Sequence, residues 1–273
     1  MLQGSAKPSI WLPKIMSDFH VVSLTYRLQT GEHVSYSNPP PLVFENEIAR
    51  CHLEKDQLRC EMKLHVATVE QARALVDPIL RDWEMEVELT RNRGEFRLIY
   101  EDAEIIDRTP PKSGIQARVL KVLGGNYLVT MDNLTAHIMR RKYPDAPMGF
   151  HLTPDAESIL LRFRNYQDGR EPLLSMAYFC LTVVESAAGG RNRRNKAAKM
   201  FEISERVLSK LGDLTTKHGD RATGRKAQSS AQPLTGNESA WIEATIKRLV
   251  LQLCDPPSHY ERKQLTMADL PSL

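Results

Sequence analysis

The chain has 273 residues, 41% of them hydrophobic and 26% charged, with a formal net charge of +3. That length exceeds one ordinary domain of ~150 residues, and the composition matches a protein with a packed interior, so wholesale disorder is excluded and two domains are expected. The longest nearly apolar stretch, "LLSMAYFCLTVV" at 173–184, falls short of the ~20 residues a bilayer crossing needs. The opening residues lack the charged leader and continuous apolar block of a secretory signal, so a cytoplasmic location without membrane contact is the expectation.

The small total charge hides an asymmetry. Residues 54–107 hold 8 Lys/Arg against 14 Asp/Glu, whereas 191–226 hold 11 against 4. Charge is segregated along the chain, so a local field can act although the total is small.

In chain order, "FHVVSLTYRL" (19–28) is β-branched and aromatic and ends at the turn cue Thr30-Gly31, which predicts a strand. "NPPP" at 38–41 marks a loop. "EIARCHLEKDQLRCEMKL" predicts a hairpin turning at Lys55 and Asp56, with Ala49, Cys51 and Leu53 facing Leu58, Cys60 and Met62, and with Leu64 and Val66 continuing the inward face. Cys51 and Cys60 then stand opposite each other, which permits a cross-strand disulfide. A reducing cytosol favours two buried thiols acting as small hydrophobes.

"TVEQARALVDPILRDW" opens with Thr68 and Gln71 at capping-box spacing and carries the stripe Ala72, Leu75, Val76, Ile79, Leu80, a helix that Pro78 should kink or end. "EMEVELT" and "EFRLIYEDAEII" alternate around "RNRG" and predict a second hairpin; "QARVLKVLGGNYLVTM" predicts a third, turning at Gly124-Gly125-Asn126. The succession is that of an antiparallel sheet with one packed helix.

From about residue 132 the period becomes helical. "DNLTAHIMRRKY" predicts a short helix stopped by Pro144, and "TPDAESILLRFRNY" one that starts with Thr153 as N-cap and Pro154 in the first turn. "EPLLSMAYFCLTVVESAAGG" predicts a buried central helix. "NKAAKMFEISERVLSKLG" predicts one helix presenting Met200, Ile203, Val207 and Leu211 and stopping at Gly212. "TGNESAWIEATIKRLVLQLC" combines a Thr235/Glu238 capping box with Trp241, Ile242, Ile246, Leu249, Val250 and Leu253 inward. The fold class is therefore α+β: an N-terminal extension (1–18), an antiparallel sheet domain (19–131), an all-α helical bundle (132–254) and a tail (255–273) in which "LTMADL" can dock.

Phosphate-loop, dinucleotide, nucleophile-elbow and zinc-protease motifs are absent. The four cysteines form no C-x-x-C and no two histidines lie two to five residues apart, so neither a metal site nor a cofactor is expected. Asp102 and Glu104 share a strand face, but in an acidic segment a solvated edge explains them.

The basic material after Gly190 stands out. Arg191, Arg193, Arg194, Lys196 and Lys199 lie at or before a helix start, the wrong end for cations. A bound anion would offset that placement; a solvated interhelical loop is the plainer reading. A second basic group, Lys217, His218, Arg221, Arg225 and Lys226, falls in a polar stretch of about 22 residues after Gly212. Aromatics are not interleaved, so nucleic acid would be held through phosphates without base stacking.

An antiparallel helix pair, a polar loop and a closing helix resemble HEPN domains. More narrowly, "GDRATGRKAQ…PLTGNESAWIEATIKRLVLQL" resembles the C-terminal part of bacterial methylamine-utilisation MauJ-like proteins, over roughly the last hundred residues. The resemblance implies an accessory or unassigned role and leaves nucleotide or RNA binding open. HEPN ribonucleases carry an Arg followed after four to six residues by a His at the start of a late helix; here the nearest Arg upstream of His218 is Arg206, so the motif is absent there. The expectation is a non-catalytic protein that binds nucleic acid or an acidic protein partner. The alternative is a degenerate HEPN-type ribonuclease with His218 as acid/base and Arg221 or Arg225 stabilising the phosphorane. Self-association through the 173–184 helix is compatible with either.

Overall fold

The computed structural model describes residues 18–91, 93–109, 138–147, 149–189, 193–218, 233–256 and 261–273, together with the backbone of 119–123. The chain divides into two units, Met1–Pro78 with Arg97–Tyr143, and Ile79–Phe96 with Pro144–Leu273.

The first unit contains β1 (Phe19–Gln29), β2 (Val34–Tyr36), β3 (Leu42–Glu45), β4 (Ala49–Glu54), β5 (Gln57–Met62), the start of helix α1 (Val69–Thr90), β6 (Arg97–Asp107), β7 (Val119–Leu123) and β8 (Ile138–Arg140). Six strands form an antiparallel sheet in the order β3-β4-β5-β1-β6-β7. The period of two sends Leu24, Tyr26 and Leu28 of β1, Cys51 and Leu53 of β4, and Leu58 and Cys60 of β5 to one buried face. Ala72 and Val76 of α1 are buried in the same unit. The opposite face is tied by ion pairs across strands, Arg59 to Glu104 at 2.7 Å and Arg27 to Glu101 at 3.2 Å.

The β4–β5 hairpin turns at Lys55 and Asp56, whose φ values of 51° and 60° are the left-handed pair that matches the strands' twist. The inward series stops at Met62: Leu64 is exposed, while Val66 is buried and its carbonyl accepts from the Val21 N–H. The Thr68 hydroxyl accepts from the Gln71 N–H, starting α1 as its sequence indicates.

Of the two outcomes expected at Pro78, a kink or an end, the end is not found: α1 runs on for twelve residues although the Ala74 carbonyl loses its partner, and the boundary between units falls at this proline. Two expectations are overturned outright. "EMEVELT" is helix, not strand, because the burial there is not alternating: Met85, Glu86, Val87 and Leu89 are all buried. "RNRG" therefore joins a helix to a strand instead of two strands, with Gly94 at φ 72°. Residues 138–140 are a strand, parallel to β2, and not helix. The predicted turn at 124–126 lies outside the described residues.

The second unit holds the rest of α1 with α2 (Pro154–Gln167), α3 (Leu173–Ala187), α4 (Arg193–Met200), α5 (Glu205–Lys217) and α6 (Gly236–Leu253). Thr153 caps α2, accepting from the Ala156 N–H, with Pro154 in the first turn. Thr235 and Glu238 form a complete capping box at α6. The core joins Ile159 and Phe163 of α2, Met176 and Cys180 of α3, Leu208 and Leu211 of α5, and Trp241, Ile246 and Leu249 of α6. The apolar side chains of α3 are largely taken up inside this core. From α1, Trp83 packs on Phe96 at 4.5 Å and donates to the Asp145 carbonyl at 2.8 Å. Buried Glu86 accepts from the Phe150 N–H.

The segment 193–217 is two helices rather than one. Glu202 takes φ 50°, and the chain pairs Ile203 with Leu265 of the tail before α5 begins after Ser204. That break turns Met200 outward to 59% exposure, leaving Ile203, Val207 and Leu211 in the core. Gly212 stops nothing: α5 runs through it to Lys217. The tail docks as the sequence indicates, through a 3-10 turn at Met267–Asp269 with Leu265 and Leu270 buried. Among the described residues no helix is long and apolar enough to cross a membrane.

Candidate anion-binding face

Helix α4 is short, and only Ala197 and Ala198 bury its inner side. At ~100° per residue, Arg193, Lys196 and Lys199 fall on the outer side, and all three are exposed. No acidic residue occurs in the helix. Arg193 and Lys196 reinforce its N-terminal partial positive charge, at roughly 0.3–1 kcal/mol per badly placed cation; Lys199, expected at a helix start, instead lies in the last turn, where the dipole favours a cation.

Arg194 points the other way. Its Nε donates to Glu185 Oε1 of α3 at 2.7 Å, and its guanidinium lies against Gly212 of α5. This cation thus joins three helices and is compensated. Lys196 and Lys199 have no ion pair among the described residues. Lys199 borders a shallow hollow of about 320 Å³ that also holds Glu202 and Glu205, so the cationic face ends there.

The second basic group stands elsewhere on α5. Lys217 lies about 140° round that helix from Gly212, at ~100° per residue, and pairs with Asp213 at 3.6 Å. Both partners are largely exposed, so the pair contributes little. His218 ends α5; its Nε2 lies 3.6 Å from Glu238 Oε1 at the start of α6, with both side chains mostly covered. Thr235 backbone and hydroxyl hydrogen bonds hold the Glu238 carboxyl below its ordinary range. Arg191, Arg221, Arg225 and Lys226 lie outside the described residues. The structure therefore groups Arg193, Lys196 and Lys199 on one helix face and sets Lys217 and His218 apart from them.

Two polar arrangements in the first unit have no counterpart in the sequence reading. Tyr26 donates to Asp77 Oδ1 at 2.6 Å while Arg73 bonds Asp77 Oδ2 and lies 4.6 Å over the Tyr100 ring. In the other, His65 Nε2 lies 3.0 Å from Asp18 Oδ1 and its Nδ1 lies 3.2 Å from His20 Nδ1. If the His65 Nε2–H donates a hydrogen bond to the carboxylate, a neutral His65 accepts at Nδ1 and His20 must donate there. Burial first, then the charges of Arg108 and His65, lower the His20 pKa. The two histidines stand 45 positions apart in sequence, His20 on β1 and His65 just past the end of β5, so only the fold brings them together. Among the described residues no group of three or more His, Cys, Asp and Glu side chains is placed to hold a metal ion.

An open hollow of about 520 Å³ at the hairpin end sets Arg27, Lys55 and Arg59 beside Glu54, Asp56 and Glu101. Its charges largely cancel, which leaves the α4 face as the stronger site for an anion. Compared with protein-family models, curated proteins and solved structures, the chain has no significant match in any of the three.

Proposed function

We propose that this chain is a non-catalytic binding protein whose helical unit holds the phosphate backbone of RNA on the outer side of α4. The observation that carries the reading is the exposure of Lys196 and Lys199, without an ion pair among the described residues, on the same side of α4 as exposed Arg193. A cation at a helix N-terminus is unfavourable alone and favourable once an anion sits against it. The resemblance of the C-terminal region to HEPN domains supports RNA over other polyanions. The absence of aromatic residues from α4 itself supports phosphate contact without stacking, and so weak sequence preference.

A site of three cations belongs in the ~10⁻⁴–10⁻⁶ M range of non-specific binding. Fluorescence anisotropy with a labelled single-stranded RNA at low salt tests it. The expected result is micromolar binding that weakens about tenfold or more in Lys196→Glu/Lys199→Glu. Equal affinity of the variant and the parent chain contradicts the reading, and binding of an acidic peptide but no RNA replaces it with a protein partner.

A further inference from the structure

Cys51 and Cys60 take no part in RNA binding, yet the fold places them with unusual definition. The two-residue turn at Lys55 and Asp56 makes Glu54 and Gln57 the closing, hydrogen-bonded pair of the hairpin. Pairs then alternate up the ladder, so Leu53 and Leu58 are not hydrogen-bonded, His52 and Arg59 are, and Cys51 and Cys60 are not. The Lys63 N–H bond to the Ile48 carbonyl, at 2.8 Å, keeps this alternation.

A non-hydrogen-bonded pair brings its Cα atoms to about 4.5 Å and its side chains closest together. That lies at the short end of the ~4.4–6.8 Å range that disulfides span. The sulfurs are 3.3 Å apart and both thiols are free. The sulfurs need to close by only a little over ~1 Å to reach the ~2.05 Å bond length. Register is also held from outside, since β3 pairs with β4 and β1 with β5.

We infer that Cys51 and Cys60 form a dithiol modification site, which closes to an intrachain disulfide in the presence of a low-molecular-weight disulfide such as oxidised glutathione. One cysteine, as thiolate, attacks a sulfur of oxidised glutathione. This forms a mixed disulfide and releases one glutathione thiolate, which takes up the proton the cysteine lost. The second cysteine attacks the protein sulfur of that mixed disulfide, forms the Cys51–Cys60 bond and releases the second glutathione, again with one proton transferred. Two protein thiols are oxidised and one glutathione disulfide is reduced to two thiols.

The site is slow in both directions. Cys51 is 3% exposed and Cys60 is not exposed, so exchange passes through openings of the hairpin. The bonded Cys51 sulfur, then burial, then the Asp77 charge favour the protonated Cys60 thiol. The closed disulfide is equally shielded from reductant.

The test uses the full chain in glutathione buffers of stepped ratio, approached from the reduced and the oxidised side, then quenched with an alkylating agent and digested with trypsin. Cleavage after Arg50, Lys55, Arg59 and Lys63 releases the peptides 51–55 and 60–63. The expected result is that these two peptides are joined, lighter by two hydrogens than their sum, in monomeric chains, with Cys180 and Cys254 alkylated; the joined species is lost in Cys60→Ser. Both peptides alkylated at the most oxidising ratio from either side overturns the inference. So does a glutathione adduct that never resolves, or a joined species confined to dimers.

Discussion

Arg194 on α4 lies so close to Gly212 on α5 that a Cβ at position 212 would stand 2.9 Å from its Nη2. The same guanidinium donates to Glu185. The glycine is there for the approach of a neighbouring helix, since its φ is not in the left-handed region.

Gly212→Ala therefore sets two effects against each other. Alanine gains ~0.8–1 kcal/mol of helix propensity, while displacing the flexible end of Arg194 forfeits a half-exposed ion pair of ~0.2–1 kcal/mol. The expected outcome is a small net change, between a loss of about 0.2 and a gain of about 0.8 kcal/mol. Chemical denaturation checks it, and a double-mutant cycle between Arg194 and Glu185 should show their coupling reduced in the alanine background.

Tyr26 and Asp77 offer the larger effect. The phenol is buried and its bond to the carboxylate is charge-assisted. Tyr26→Phe should cost ~1.5–3 kcal/mol, and Asp77→Ala at least as much, because it strands the Tyr26 hydroxyl and releases Arg73 together. Equilibrium denaturation measures both; costs within experimental error of zero would show that water replaces the carboxylate.

Stability should also fall on mild acidification through His20. Its folded pKa is lowered, so the unfolded chain takes up the proton first as pH drops below the ordinary ~6.5. Stability is then full above that value and declines as the pH falls toward the folded pKa. Asp18 opposes the shift, while Arg108 and His65 favour it. His20→Gln should flatten the decline below about pH 6.5, read from denaturation midpoints on the acid side of that value.

Much of the fold was legible in single segments. The 55–56 turn, the Thr153 and Thr235 caps and the Trp241–Leu253 stripe each depend on residues within a few positions of one another, and each stands where local chemistry puts it. The misreadings came where distant packing decides. Met85, Val87 and Leu89 alternate like a strand, but Glu86 between them is buried against Phe150. Ser204 before Glu205 is a helix-start signal, and the break it marks depends on Leu265, sixty residues on. The basic residues were visible from charge alone. Which of them share a face was not, because that follows from the helix break at 201–204 and from Glu185, Asp213 and Glu238 lying beside Arg194, Lys217 and His218.

The most direct measurement is the salt dependence of RNA affinity, because phosphate contact has a countable signature: log K falls with log salt by ~0.7 per phosphate neutralised on a single strand. The three cations on the outer side of α4 predict a slope of about −2 for the parent chain, falling in magnitude by about 1.4 in Lys196→Gln/Lys199→Gln. An identical slope in both proteins would place the phosphates somewhere other than α4 and contradict the account.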